Sequence, residues 1–280
     1  MGESTEALTH QVDARWLMAY AAALGDFDPR YFDTAAGTVI GHPLFPVCLE
    51  WPAILAARRL PGHEAVTPAE SGRGVHAAHD LHIYRPIRAG DRLHTRASII
   101  ALEAIRPGAA MTVRLDTVDD AGELVCRTYY LTISRGVAVT GGDRFVERAP
   151  PIPDAALETH AKAEGPPIEV GPGLAHVYTE CARIFNPIHT DRAVALAAGL
   201  PDVILHGTAS LALAVSRLVE THLGGDPERV RRIGGRFSAM VLMPSTLWLA
   251  ADSPERGVIG FELRRGDGQR AISRGFLCWE

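Results

Sequence analysis

The chain has 280 residues, 47% of them hydrophobic, with a formal net charge of −5 and an isoelectric point near 6.2. That is enough apolar material for one large core or two ordinary ones, and the acidic balance excludes the basic stripe of a nucleic-acid footprint. The polar N-terminus MGESTEALTHQVD has no apolar signal core, no run reaches transmembrane length, and Cys48, Cys126, Cys181 and Cys278 are scattered without a CxxC. Reduced thiols, no membrane span and a cytoplasmic location are therefore expected.

In chain order, a helix-like segment comes first, WLMAYAAALGDFDPRYFD (16–33), then a glycine-bearing stretch ending in a histidine, AAGTVIGH (35–42). FPVCLEWPAILAARRL (45–60) reads as a helix apolar nearly all round, which other structure must wrap. Four strand-like runs follow at 75–87, 91–102, 110–120 and 124–134, the last two joined by the turn-forming DDAGE. Residues 146–173 are rich in Pro, Gly and charge, and 147–167 reads as a linker. The order then repeats: YTECARIFNPIHTD (178–191), AAGLPDVILH (197–206), the apolar helix GTASLALAVSRLVETHL (207–223), and strand-like runs at 231–242, 245–253, 257–268 and 270–279. The predicted division is an N-terminal unit 1–146 and a C-terminal unit 168–280.

One phrase is written twice. Asp28 aligns with Asn186 at an offset of 186 − 28 = 158, and the same offset pairs Pro29 with Pro187, Tyr31 with His189 and Asp33 with Asp191. One buried helix plus several antiparallel strands in each half predicts an α+β chain of two hotdog units, a double hotdog.

NPIHTD, AAGLP and HGTASLALA, with HIYRPIRAGDRL in the first half, resemble the MaoC-like (R)-specific enoyl-thioester hydratases and 3-hydroxyacyl-thioester dehydratases in their double-hotdog form. The resemblance implies cofactor-free addition or removal of water at a 2-enoyl or 3-hydroxyacyl thioester of coenzyme A or a carrier protein. It also implies an Asp–His pair that activates water, and backbone N–H groups at the central helix that polarise the thioester. A homodimer of double hotdogs is a further expectation.

Carried over residue by residue, the resemblance assigns His189 and Asn186 to catalysis. The family's Asp falls on Ile184, however, and its preceding Gly on Arg183. The first half keeps Gly25 and Asp26 but has Tyr31 where the His belongs.

Three readings stay open. His189 works with another acid, Glu180 being placed to share a helical face with Ile184; or Asp26 works with Tyr31 or His42; or the chain is an acyl-thioester binder, a partner of an active homologue, or a divergent enzyme with different chemistry. Gly207 is expected at the thioester oxygen, with Ser210, His206, Tyr31 and Arg183 lining the substrate site. A thioesterase with Glu50 on the first central helix is a further alternative. Metal is not expected: on a regular strand His76 and His82 of HAAHDLH share a face while His79 points away.

Overall fold

The structure is a computed structural model that describes residues 1–61, 66–157 and 165–280. Residues 158–164 of the expected linker lie outside the described residues. The first half comprises β1 (Leu8–Gln11), α1 (Ala14–Ala23), α2 (Pro29–Phe32), α3 (Pro46–Ala57), α4 (Pro68–Ser71), β2 (Gly74–Ile83), β3 (Arg92–Ile105), β4 (Gly108–Asp119), β5 (Leu124–Arg135) and β6 (Arg144–Phe145). The second comprises β7 (Ile168–Val170), α5 (Leu174–Ala182), α6 (Arg192–Ala197), α7 (Gly207–His222), β8 (Val230–Phe237), β9 (Ser245–Ala251), β10 (Val258–Arg265) and β11 (Arg270–Trp279).

All eleven strands form one antiparallel sheet in the order β1-β3-β4-β5-β2-β8-β11-β10-β9-β7, with β6 pairing β3. Strands of the first half lie on one side of the β2–β8 seam and strands of the second on the other. At that seam His79 faces Gly235 and Leu81 faces Ile233. The two apolar helices predicted from the sequence are α3 and α7, and both pack inside the sheet's curve. Leu49 on α3 and Leu211, Val215 and Leu218 on α7 are fully buried with Leu81, Ile233, Phe261 and Leu277 from the strands. Truncating one such leucine to Ala costs about 2–5 kcal/mol, so this layer fixes where each helix begins.

A smaller layer brings the halves together beside the helices. α1 packs on α5, and Tyr20 and Tyr178, another pair 158 apart, meet with 3.1 Å between their hydroxyls. Both rings are fully buried. Trp16 Nε1 adds a bond to the Cys181 carbonyl at 3.0 Å.

One strand departs from the expected parity. A bulge between His76 and Ala78 inserts a residue into β2 against β5, which reverses the alternation. His76 and His79 therefore share a face, 5.5 Å between ring centroids, while His82 pairs with Asp80 at 3.4 Å. The expectation that His79 points away from His76 fails for this reason.

Candidate active site

The repeated phrase sits on the loops after α1 and α5. Gly25 and Arg183 both take left-handed backbone there, at φ 69° and 57°, which ends each helix. Its last word does the same work in both copies. Asp33 accepts the N–H groups of Ala35 and Ala36, and Asp191 accepts those of Ala193 and Val194 to cap α6. The middle of the phrase differs between the halves.

In the second half, Pro187–His189 forms a single 3-10 turn that presents His189. His189 Nδ1 lies 2.8 Å from the Ile204 carbonyl. A carbonyl only accepts, so Nδ1 carries the proton and Nε2 keeps a lone pair. The ring lies flat on His206, 3.6 Å between centroids and 25° between planes. His206 Nε2 is 3.3 Å from Thr179 Oγ1, and its buried Nδ1 has no partner. Burial pushes His189 down to about 4, against the opposing effect of its carbonyl bond, and burial pushes His206 well below its ordinary value, helped by His189. Both rings are neutral at pH 7.

Directly after His206, α7 begins at Gly207. The first N–H groups of a helix have no acceptor within it. Ser210 N–H reaches the His206 carbonyl, but the N–H groups of Gly207, Thr208 and Ala209 have no backbone acceptor among the described residues. They lie at the positive end of a 16-residue helix. A Cβ on Gly207 would meet the Phe237 ring at 2.9 Å, so only glycine fits without displacing that ring. Asn186 is half-buried, and its side chain caps nothing. An outer groove of about 410 Å³, lined by His176, Thr179, Glu180, Phe185, Pro187 and Thr190, reaches Thr179, one hydrogen bond from His206.

The first half has the carboxylate but not the rest. Asp26 stands where Ile184 stands in the second copy, with Oδ2 3.9 Å from His42 Nε2. His42 Nδ1 accepts the Leu44 N–H at 3.0 Å, so the proton is on Nε2, 3.0 Å from Ser216 Oγ of α7. This is the opposite tautomer from His189, and it leaves no lone pair for a proton from water. Burial holds His42 down at about 4, with Asp26 opposing. Tyr31, in the place of His189, is buried, and its phenol is raised chiefly by burial and then by Asp26 and Asp28. α3 starts with Pro46, which has no N–H, and the N–H groups of Phe45, Val47 and Cys48 are bonded to the carbonyls of His42, Leu44 and Phe45. The cavity beside His42 measures about 20 Å³, room for about one water.

Four other sequence candidates are held in other roles. Glu180 is exposed at the groove rim, and α5 ends at Ala182, so Ile184 is off the helix and does not share its face. Arg183 lays its guanidinium 3.7 Å over the Trp16 ring and is thereby committed to the fold. Ser210 Oγ turns back to the His206 carbonyl at 3.4 Å, as serines on helices do. Glu50 is buried on α3 and accepts a hydrogen bond from Thr128. Thr179, Tyr178 and Ser216 escaped the sequence reading. Only Tyr178 had a signal there, its 158-residue offset from Tyr20.

Fold and site together define a double-hotdog protein whose second half carries a histidine beside the unbonded start of its central helix. Residues 157–260 match the MaoC-like domain and residues 1–128 the FAS1-like dehydratase domain region, so along most of its length the chain is similar to MaoC-like dehydratases, in a double-hotdog arrangement.

The 3-hydroxyacyl-thioester dehydratase Y of Mycobacterium tuberculosis is 26% identical over 97% of this chain and 93% of its own length. The peroxisomal enoyl-CoA hydratase 2 of Arabidopsis thaliana is 27% identical over 62% of this chain, a match spanning 58% of the plant protein. The MaoC-like dehydratase structure from Phytophthora capsici superposes at a TM-score of 0.81 with 21% identity, over 99% of this chain and 96% of that one. A Mycobacterium tuberculosis protein described as a double hotdog superposes at 0.59 with 16% identity, over 99% and 94%. These two superpositions speak to the fold alone. Among the described residues no helix is long and apolar enough to cross a membrane.

Proposed function

We propose that this chain is a cofactor-independent hydro-lyase that adds water to a trans-2-enoyl thioester of coenzyme A or a carrier protein, or removes it from a 3-hydroxyacyl thioester, using the site in its second half. The thioester oxygen takes the N–H groups of Gly207 and Thr208. A water held by His189 Nε2 and the Asn186 amide loses a proton to His189 as its oxygen bonds to C3. The electron pair of the C2–C3 double bond moves onto the thioester, and the enolate-like oxygen is stabilised by the helix N-terminus. His189, now protonated, returns that proton to C2, so one water supplies both atoms and the ring ends neutral. Its low proton affinity makes it an effective donor in this last step.

The observation that carries the reading is the presence, among the described residues in the second half only, of a histidine lone pair together with N–H groups at a helix start that have no backbone acceptor. The names of two relatives, an enoyl-CoA hydratase and a 3-hydroxyacyl-thioester dehydratase, support it. The test is hydration of crotonyl-CoA and of a longer and an aromatic enoyl-CoA, followed by loss of enoyl absorbance. His189→Ala is expected to lose about 10²–10⁴ in kcat. Full activity in His189→Ala, or thioester binding without wild-type turnover of any of the three, overturns it, the second outcome favouring a silent binder.

A further inference from the structure

The bulge in β2 builds a second polar place inside the fold, at the seam between the halves. His79 is 2% exposed, and neither ring nitrogen has a hydrogen-bond partner. Its cross-strand neighbours are Tyr130 on β5 and Gly235 on β8, so the β8 residue directly opposite has no side chain. Around it stand His76, whose ring lies 4.0 Å from that of Tyr130, and Phe237, 4.7 Å from His76. His76 and Phe237 are half-buried and His79 lies deeper than either. Phe237 is also the ring that abuts Gly207. One aromatic ring therefore separates this cluster from the N–H groups assigned above to the thioester oxygen.

A buried polar atom without a partner is costly, and native proteins rarely keep one without use. A histidine kept neutral by burial offers one donor and one acceptor. A hydroxyl offers the same pair in return. A saturated hydrocarbon tail would instead leave both nitrogens unmet. We propose that His79, walled by His76, Tyr130 and Phe237, is a subsite for the acyl chain that selects thioesters bearing an oxygen substituent, a hydroxyl foremost, on that chain. This rests on the second-half thioester site argued above and adds a substrate class to it.

The experiment measures binding of saturated acyl-CoA thioesters of six to twelve carbons by calorimetry, each beside its ω-hydroxy counterpart, with crotonyl-CoA turnover assayed in parallel. At one chain length the hydroxylated thioester is expected to bind about tenfold tighter or better, because a site built to hydrogen-bond a substrate rejects the analogue lacking the group. His79→Leu is expected to remove that advantage and raise Tm, since it deletes two unpaired nitrogens, while His79→Gln keeps part of the advantage. No advantage at any length, or one that survives His79→Leu, overturns the inference. Turnover of crotonyl-CoA without a hydroxyl preference sinks this inference alone. A His79-dependent preference without turnover supports the subsite and sinks the hydro-lyase reading alone.

Discussion

Gly25 and Arg183 occupy the same left-handed backbone position one repeat apart, and they meet its demand differently. Glycine takes a positive φ without strain, whereas a residue with a Cβ there costs about 1 kcal/mol. Arg183 recovers part of that by stacking on Trp16, a contact that ties the second half's loop to α1 of the first. Arg183→Ala keeps the strain and loses the stack, so it is expected to destabilise by about 1 kcal/mol. Arg183→Gly loses the stack but relieves the strain, and its Tm should lie near that of wild type and above that of Arg183→Ala. Thermal unfolding of the three proteins decides it; an Arg183→Gly Tm at or below that of Arg183→Ala would mean that the left-handed backbone carries no strain worth relieving.

His42 in the first half and His189 in the second hold opposite tautomers, and this separates their chemistry. If only the second half turns over substrate, Asp26→Asn should keep kcat within about threefold, since removing a working general base costs about 10²-fold or more. A loss of that size in Asp26→Asn would move the reaction to the first half.

Acidity gives an independent check on His189. Its neutral form is the base, and burial pushes it down to about 4. The acid limb of kcat/KM should therefore fall near pH 4, well below the ordinary histidine value of about 6.5. A limb at pH 6 to 7 would mean that the ring is solvated in the working enzyme.

Much of the fold was legible in the sequence because its signals are local. The runs at 75–87, 91–102, 110–120 and 124–134 are β2 to β5, and the two helices without a polar face are α3 and α7. β1, β6 and β7 were not legible. Each has four residues or fewer and owes its strand geometry to the partner it pairs with. The proposed site was half legible: NPIH pointed to His189, and HG to the start of α7. The His189–His206 stack, the Thr179 bond and the Ser216 contact join residues far apart in the chain, and no spacing rule encodes them. His79 was misplaced because a bulge leaves no mark on residue alternation, and Glu180 because Arg183 takes a left-handed turn that few arginines take.

Gly207 and Phe237 form the tightest joint of the proposed site. Alanine at 207 drives a methyl to 2.9 Å from the ring, which must move or push the first turn of α7 outward. Because the N–H groups of that turn are meant for the transition state, Gly207→Ala is expected to lower kcat more than it raises KM, by about 10-fold to 10²-fold. Phe237→Leu makes room, so Gly207→Ala with Phe237→Leu should recover part of the loss. Losses that simply multiply in the double variant would show that the clash is not the cause.

Stability should peak near neutral pH, because three buried histidines outweigh one glutamate below it, and Glu50 should contribute to the alkaline side. Burial raises its carboxyl to about 7, against the opposing bond from Thr128, so the folded state holds a proton that an unfolded glutamate releases near 4.5. A raised value contributes stability that is complete below about 4.5 and lost as pH rises through about 7, amounting to about 3 kcal/mol. The buried histidines run the other way. His42, His79 and His189 are each held down at about 4, so the stability they carry is complete above about 6.5 and lost as pH falls through 4. Glu50→Gln keeps the shape and an acceptor for Thr128 but cannot ionise. At pH 5 its Tm should match wild type, and at pH 8.5 it should exceed wild type by several degrees. Equal Tm values at pH 8.5 would mean that the Glu50 carboxylate ionises in the folded core without penalty, and the alkaline limb would then need another source.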